Sequence, residues 1–224
     1  MTESAQQQQQ QRIFERLSQA VVDMDETLAE KIATMIVHEG LDCTKAIETG
    51  LGEGMARVGK LYETGEYFIP DLLVCADALQ KASDILKTGL YQYPLSKGRV
   101  VIGTIYGDTH DLGKNIVTLF MTSAGYEVLD LGKDVPARLF VDEAVKWNAD
   151  IIAISTLMTT TMKNIKDVID LLVTEKKREQ FWVMLGGKPI SYNFAAKIGA
   201  DGYAQNAVQA VKFLDNTISK LRRY

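Results

Sequence analysis

Residues 99–115 read RVVIGTIYGDTHDLGKN. The first eight form a β-branched run that closes on Gly107, the composition of a buried strand. Residues 111–124 then follow a helical period. The alternation continues to the end of the chain, with strands at 127–131, 150–155, 181–185 and 202–204 and helical stretches at 137–147, 160–174, 191–198 and 207–221. Five strands alternating with helices predict an α/β, Rossmann-like fold, a doubly wound five-stranded parallel sheet.

Before Pro94 the period is different. From Arg12 to Tyr93 no period-2 alternation occurs. Ile13, Leu17, Ala20 and Val21 share one helical face, as do Leu28, Ile32, Met35 and Ile36. Gly40 closes the second helix, and residues 42–44 offer a cap for a third, which runs through Ala46, Leu51, Met55 and Val58 to about Tyr62. Pro70 sits in the first turn of a fourth. The expected arrangement is an N-terminal four-helix bundle over 12–92, the α/β domain over 97–224, and a disordered polar tail over 1–11, where a glutamine run cannot build a core.

Charge divides along the same seam. Residues 1–96 hold 8 Lys+Arg against 15 Asp+Glu, and residues 97–224 hold 17 against 14. The overall charge of −4 argues against general nucleic-acid binding. No apolar run of about eighteen residues exists, and the amino terminus lacks a secretory pattern, so a cytoplasmic protein off the membrane is expected. Cys43 and Cys75 cannot supply a disulfide framework or a tetrathiolate zinc site. His38, at a helix C-terminus, reads as structural. That leaves His110 for any imidazole chemistry.

His110 lies in the loop after the first strand, on the sheet edge where open α/β folds bind ligands. The loop matches neither GxGxxG nor GxxxxGK[ST]. Asp108, two residues earlier, is placed to fix an imidazole tautomer and raise its basicity, as a metal-ligating histidine needs. A helix-capping role for His110 stays open on these residues alone. The third strand ends in Ser155-Thr156-Leu157 with Thr159 beyond, the fourth in Gly186-Gly187, and the last helix opens at Ala207. Each has an ordinary reading as a cap or a turn.

Together these motifs resemble one family: the cobalamin-binding module of methionine synthase and of corrinoid methyl-carrier proteins. Its DxHxxG, SxL and GG elements stand here as residues 108–113, 155–157 and 186–187, in register. The resemblance reaches back to Arg12, because the family places a helical cap before the module. Residues 46–70 look like its second helix pair.

The resemblance implies that the cofactor is a corrinoid, cobalamin, whose cobalt cycles between methylcobalamin and cob(I)alamin. His110 would be the lower axial cobalt ligand, with Asp108 and Ser155 as its proton relay. Gly107, Thr109, Asp111, Gly113, Leu157, Thr159, Gly186, Gly187 and Ala207 would line the cofactor, the two glycines leaving room for its displaced nucleotide tail. Glu48, Tyr62 and Ile69, with Phe68 beside them, would cover the upper face. A hinge near 93–98 would let the cap swing aside. The chain is then a non-catalytic corrinoid subunit. It carries a methyl group from a donor-specific methyltransferase of methyl ether, methylamine, methanol or betaine type to an acceptor methyltransferase acting on tetrahydrofolate or a thiol. A reductive activase is a further implied partner. The competing expectation is a cobalamin-dependent sensor or regulatory protein.

Overall fold

The computed structural model describes residues 3–90 and 96–221. The chain divides into two compact units, Met1–Leu95 and Ser96–Tyr224. Half of the expected hinge, residues 93–95, lies outside the described residues.

The first unit is helical: α1 (Glu3–Val22), α2 (Glu26–His38), a composite third rod and α5 (Ile69–Thr88). Asp25 caps α2 by accepting from the Leu28 N–H. The third rod starts as α3 (Cys43–Lys45), widens into a π-helical stretch over Ala46–Gly52, and resumes as α4 (Glu53–Thr64). Gly65, at φ +78°, ends it. The Phe68 N–H donates to Asp71 at 2.7 Å, with Pro70 in the first turn of α5. Leu17, Val21, Ile36, Leu51, Val58, Leu72 and Leu86 are buried between the rods.

Residues 4–11 extend α1, because glutamine is a good helix former and adds turns to an established helix at little cost. One expectation needs correction. The third helix is not a regular α-helix, since its middle stretch, Ala46–Gly52, is π-wound. Gly50 and Gly54 face α1 there, and an added Cβ would come within 2.9 Å of Leu17 Cδ2 and 3.0 Å of the Ser18 carbonyl oxygen.

The second unit is the expected sheet. Strands β1 (Arg99–Thr104), β2 (Glu127–Asp130), β3 (Ile151–Ser155), β4 (Trp182–Gly186) and β5 (Gly202–Ala204) pair in parallel in the order β2-β1-β3-β4-β5. Helices α7 (Ala137–Lys146), α8 (Met162–Thr174) and α9 (Tyr192–Ile198) bury Phe140, Val168 and Ala195 on one face, against Val101, Ile152, Ile154 and Val183. Helices α6 (Leu112–Ser123) and α10 (Ala207–Leu221) bury Met121, Leu214 and Ile218 on the other, against Val100, Ile102, Ile151 and Met184. The chain leaves β1 toward β2 and returns to β3 on the opposite side. The strand order therefore reverses between β1 and β3, where such sheets open a crevice.

Candidate functional site

The loops after β1 and β3 meet at that reversal. Ile105 continues β1 far enough for its N–H to donate to the Ser155 carbonyl at 3.0 Å. The chain then turns through Gly107, at φ +85°. Asp134, in the loop after β2, clamps this turn from the side. Its carboxylate accepts from the Gly107 N–H at 2.7 Å, and its own N–H donates to the Asp108 carbonyl at 3.0 Å. Asp134 holds φ +57°, a left-handed conformation uncommon outside glycine.

Asp108 is fully buried and accepts five hydrogen bonds. Oδ1 takes the His110 N–H at 2.9 Å and lies 2.8 Å from His110 Nδ1. Oδ2 takes the Thr156 hydroxyl at 2.7 Å and the N–H groups of Leu157 and Met158 at 2.6 and 3.2 Å. Burial alone would push this carboxyl up. The bonds from the His110 and Leu157 N–H groups, the Thr156 hydroxyl and the His110 ring outweigh it and hold the group well below the usual carboxylate range. An ionised Asp108 accepts only, so His110 Nδ1 carries the proton and Nε2 is left with its lone pair. The imidazole is 53% exposed, and Nε2 meets no partner among the described residues. The site thus presents one oriented, basic nitrogen outward.

The hydroxyl on Asp108 is a correction. Ser155 was expected there; Thr156 occupies the position, and Thr161 extends it with Oγ1 2.7 Å from Thr156 Oγ1. The reason is the strand period of two. Ile152 and Ile154 face α7 and α8, so Thr156 falls on their side, whereas Ile151, Ala153 and therefore Ser155 face α6 and α10. With the Thr156 proton given to Asp108, Thr161 is the donor of the second contact, and a chain runs from Thr161 through Thr156 to Asp108 and His110.

Ser155 belongs instead to a row of small residues. Thr104, Ser155, Gly186 and Ala204 are successive register partners across β1, β3, β4 and β5 on the α6/α10 face. A Cβ at Gly186 would meet only the Ala204 carbonyl oxygen, at 3.5 Å, and one at Gly113 would meet nothing within 4 Å. Gly187 differs. At φ +115° its Cβ would fall 1.7 Å from the Thr156 carbonyl oxygen, so the protein's own chain already requires glycine there. Thr109, Leu157 and Thr159 are exposed around this edge, Asp111 is half-buried at the start of α6, and Ala207 is buried at the start of α10.

Sequence reasoning missed Thr156, Thr161 and Asp134. It also missed Lys114, a buried lysine paired with Asp130 and bonded to Asn115 Oδ1 at 2.6 Å, which ties α6 to the end of β2. In the helical unit, Glu48 is exposed on the π-helical stretch, Tyr62 is half-buried near the end of α4, and Ile69 and Phe68 are exposed at the start of α5. No helix among the described residues is long and apolar enough to cross a membrane.

Comparison with known proteins points the same way. The family model of the B12 binding domain matches residues 98–212, and a second B12 binding domain model matches 13–87. A corrinoid protein of Desulfitobacterium hafniense is 38% identical over 212 residues, covering 93% of this chain and 98% of its own. Dimethylamine corrinoid protein 2 of Methanosarcina acetivorans is 42% identical over 205 residues, covering 90% and 94%. The methanol:cobalamin methyltransferase complex of Methanosarcina barkeri superposes with a TM-score of 0.82 at 31% identity, over 93% of this chain and 80% of that one.

The residues present fit a corrinoid. Among the described residues no cluster of three or more His, Cys, Asp or Glu could hold a bare metal ion. A corrin ring supplies four nitrogens to its own cobalt, so a single outward imidazole is what remains for the protein to give, and Gly113, where an added Cβ would meet nothing within 4 Å, leaves open space.

Proposed function

The chain belongs to the B12-binding corrinoid proteins, and on that premise we propose that it is a methyl carrier serving two methyltransferases. The observation that carries the reading is the Asp108–His110 pair, which offers a basic Nε2 at the strand-order reversal. When bound, the corrinoid's cobalt accepts and releases the methyl group. The protein supplies ligation, proton control and access.

His110 would hold the corrinoid's cobalt through Nε2, while Asp108 holds the ring by its Nδ1–H. Nε2 has a single lone pair, so ligation and protonation exclude each other at that one atom. Thr156 and Thr161 extend the Asp108–His110 pair as the relay. Gly113 and Gly186 admit the cofactor, with Gly107, Thr109, Asp111, Ser155, Leu157, Thr159 and Ala207 as further contacts. Gly187 shapes the turn beside it.

The names of the relatives, dimethylamine corrinoid proteins and the methanol:cobalamin methyltransferase complex, support methylamine or methanol as the donor class and a methyltransferase as the partner. An acceptor methyltransferase and a reductive activase complete the cycle.

The test is spectroscopic. Protein loaded with cob(II)alamin should show nitrogen splitting from an imidazole in its electron paramagnetic resonance spectrum, and labelling histidine with nitrogen-15 should turn that splitting from a triplet into a doublet. His110→Ala should abolish the change. A splitting indifferent to the label would refute His110 as ligand.

A further inference from the structure

One peptide group launches the loop that carries Asp108 and His110. It joins Tyr106 to Gly107, and side chains from two other elements hold both of its ends. The Asn164 amide, in the first turn of α8, donates from Nδ2 to the Tyr106 carbonyl at 2.8 Å. The Gly107 N–H donates to Asp134 Oδ1, in the loop after β2, at 2.7 Å. The carbonyl and N–H of one peptide share a rigid plane, so the two bonds fix its orientation together.

The backbone alone does not make that choice. Glycine takes φ of either sign at similar cost, so at Gly107 the plane is free to turn over. A turned plane would point its carbonyl at the Asp134 carboxylate, acceptor against acceptor, and would lose the bond from Asn164 to Tyr106. The two side chains therefore select the φ of +85° that Gly107 holds. The turn passes directly into Asp108, whose N–H donates to the Ile105 carbonyl and whose carbonyl accepts from the Asp134 N–H, both at 3.0 Å. Asp134 thus grips the loop at two successive residues. Its own φ of +57° is one that Asp and Asn tolerate better than other side chains.

We propose that Asp134 and Asn164 are positioning residues for the axial histidine. They lock the Tyr106–Gly107 peptide and through it aim the His110 imidazole, so that the ligand geometry is in place before the cofactor arrives. This rests on the cofactor reading above. Neither residue belongs to the DxHxxG, SxL or GG elements, and each acts on the ring only through the loop.

The experiment measures cobalamin affinity by equilibrium titration and the nitrogen splitting of cob(II)alamin-loaded protein. It compares the wild type, Asp134→Gly and Asn164→Ala, each also combined with His110→Ala. Asp134→Gly permits the left-handed backbone and deletes only the carboxylate. Asn164→Ala acts from a separate element, so a folding failure in one variant leaves the other informative. Each single substitution should lower cobalamin affinity about 3- to 10-fold and shrink the histidine splitting. With His110→Ala already present, neither should lower affinity further, because the ligand they aim is gone. Asp134→Asn, which keeps an oxygen for the Gly107 N–H, should retain wild-type affinity and splitting. Equal losses with and without His110 mean a merely structural role and overturn the proposal. So do unchanged affinity and full splitting in both variants, or a loss in Asp134→Asn as large as in Asp134→Gly. If the wild type itself shows no histidine splitting, the cofactor reading has failed and takes the proposal with it, a result distinct from failure of the proposal alone.

Discussion

Asp108→Asn removes one charge and no volume. The carboxylate receives five donors, two on Oδ1 and three on Oδ2. An asparagine keeps one oxygen and turns an NH2 toward the other set. If the NH2 meets Leu157 and Met158, two buried N–H groups lose their acceptor. If it meets His110, one N–H loses its acceptor and the imidazole must accept at Nδ1, moving its proton to Nε2. The second arrangement strands fewer donors and should prevail. Bonds to a charged acceptor contribute roughly 1.5–3 kcal/mol each and neutral ones roughly 0.5–1.5. With one donor stranded, at about 1–3 kcal/mol, and four bonds each weakened by about 1 kcal/mol, a destabilisation of about 5–7 kcal/mol is expected. Urea unfolding of the cofactor-free protein measures that, and the histidine splitting of the cob(II)alamin form measures the tautomer. The expected result is a lower midpoint together with loss of the imidazole signature. Thr156→Val should cost about 1–2 kcal/mol, whereas Ser155→Ala should stay within about 0.5. A protein with Asp108→Asn that keeps both its stability and its histidine signature would refute the argument that Asp108 sets the ring.

The pair of glycines after β4 should separate two effects. Gly187→Ala should cost more than about 3 kcal/mol, because its Cβ collides with the Thr156 carbonyl; Gly186→Ala should fold with near-normal stability and lose corrinoid binding, as unfolding and titration curves would report. Because the folded pKa of Asp108 is depressed, its contribution to stability is complete above the unfolded value near 3.9 and is lost as pH falls through the folded value. Urea midpoints should therefore drop steeply below about pH 4 in the wild type and less so in Asp108→Asn. Burial, with Asp71 nearby, pushes the Cys75 thiol up to about 11. Alkylation at pH 8 should be slower than for a free thiol by roughly 100-fold or more, recovering in urea, as mass spectrometry of the modified peptide would show.

The order of strands and helices was legible because β-branched runs and helical stretches alternate without ambiguity from Arg99 onward. The crevice was legible because its histidine and carboxylate sit two residues apart in one turn. Ser155 and Thr156 were not separable in this way. Both are hydroxylic, and which of them reaches Asp108 depends on the parity of β3, set by where pairing with β1 begins. The close approach of Gly187 to Thr156 was not legible either: a glycine needed against a neighbouring loop looks the same in sequence as one needed against a ligand. The π-helical widening over Ala46–Gly52 has no motif of its own, although it is what brings the buried Ala46, Gly50 and Leu51 onto one face of the rod. Asp134 has no motif of its own, and its work is done by backbone conformation.

The two neighbouring hydroxyls at the end of β3 also make the sheet a partition. Thr156 serves the ionisable pair on one side while Ser155 serves the small-residue row on the other, with only a peptide bond between them. Side-chain replacements on the two sides should behave as independent mutations whose effects add. Inserting a single residue before Ser155 would exchange the two sides and silence both functions together. Chain length before Ser155 is thus as strict a requirement at this edge as the side chains themselves.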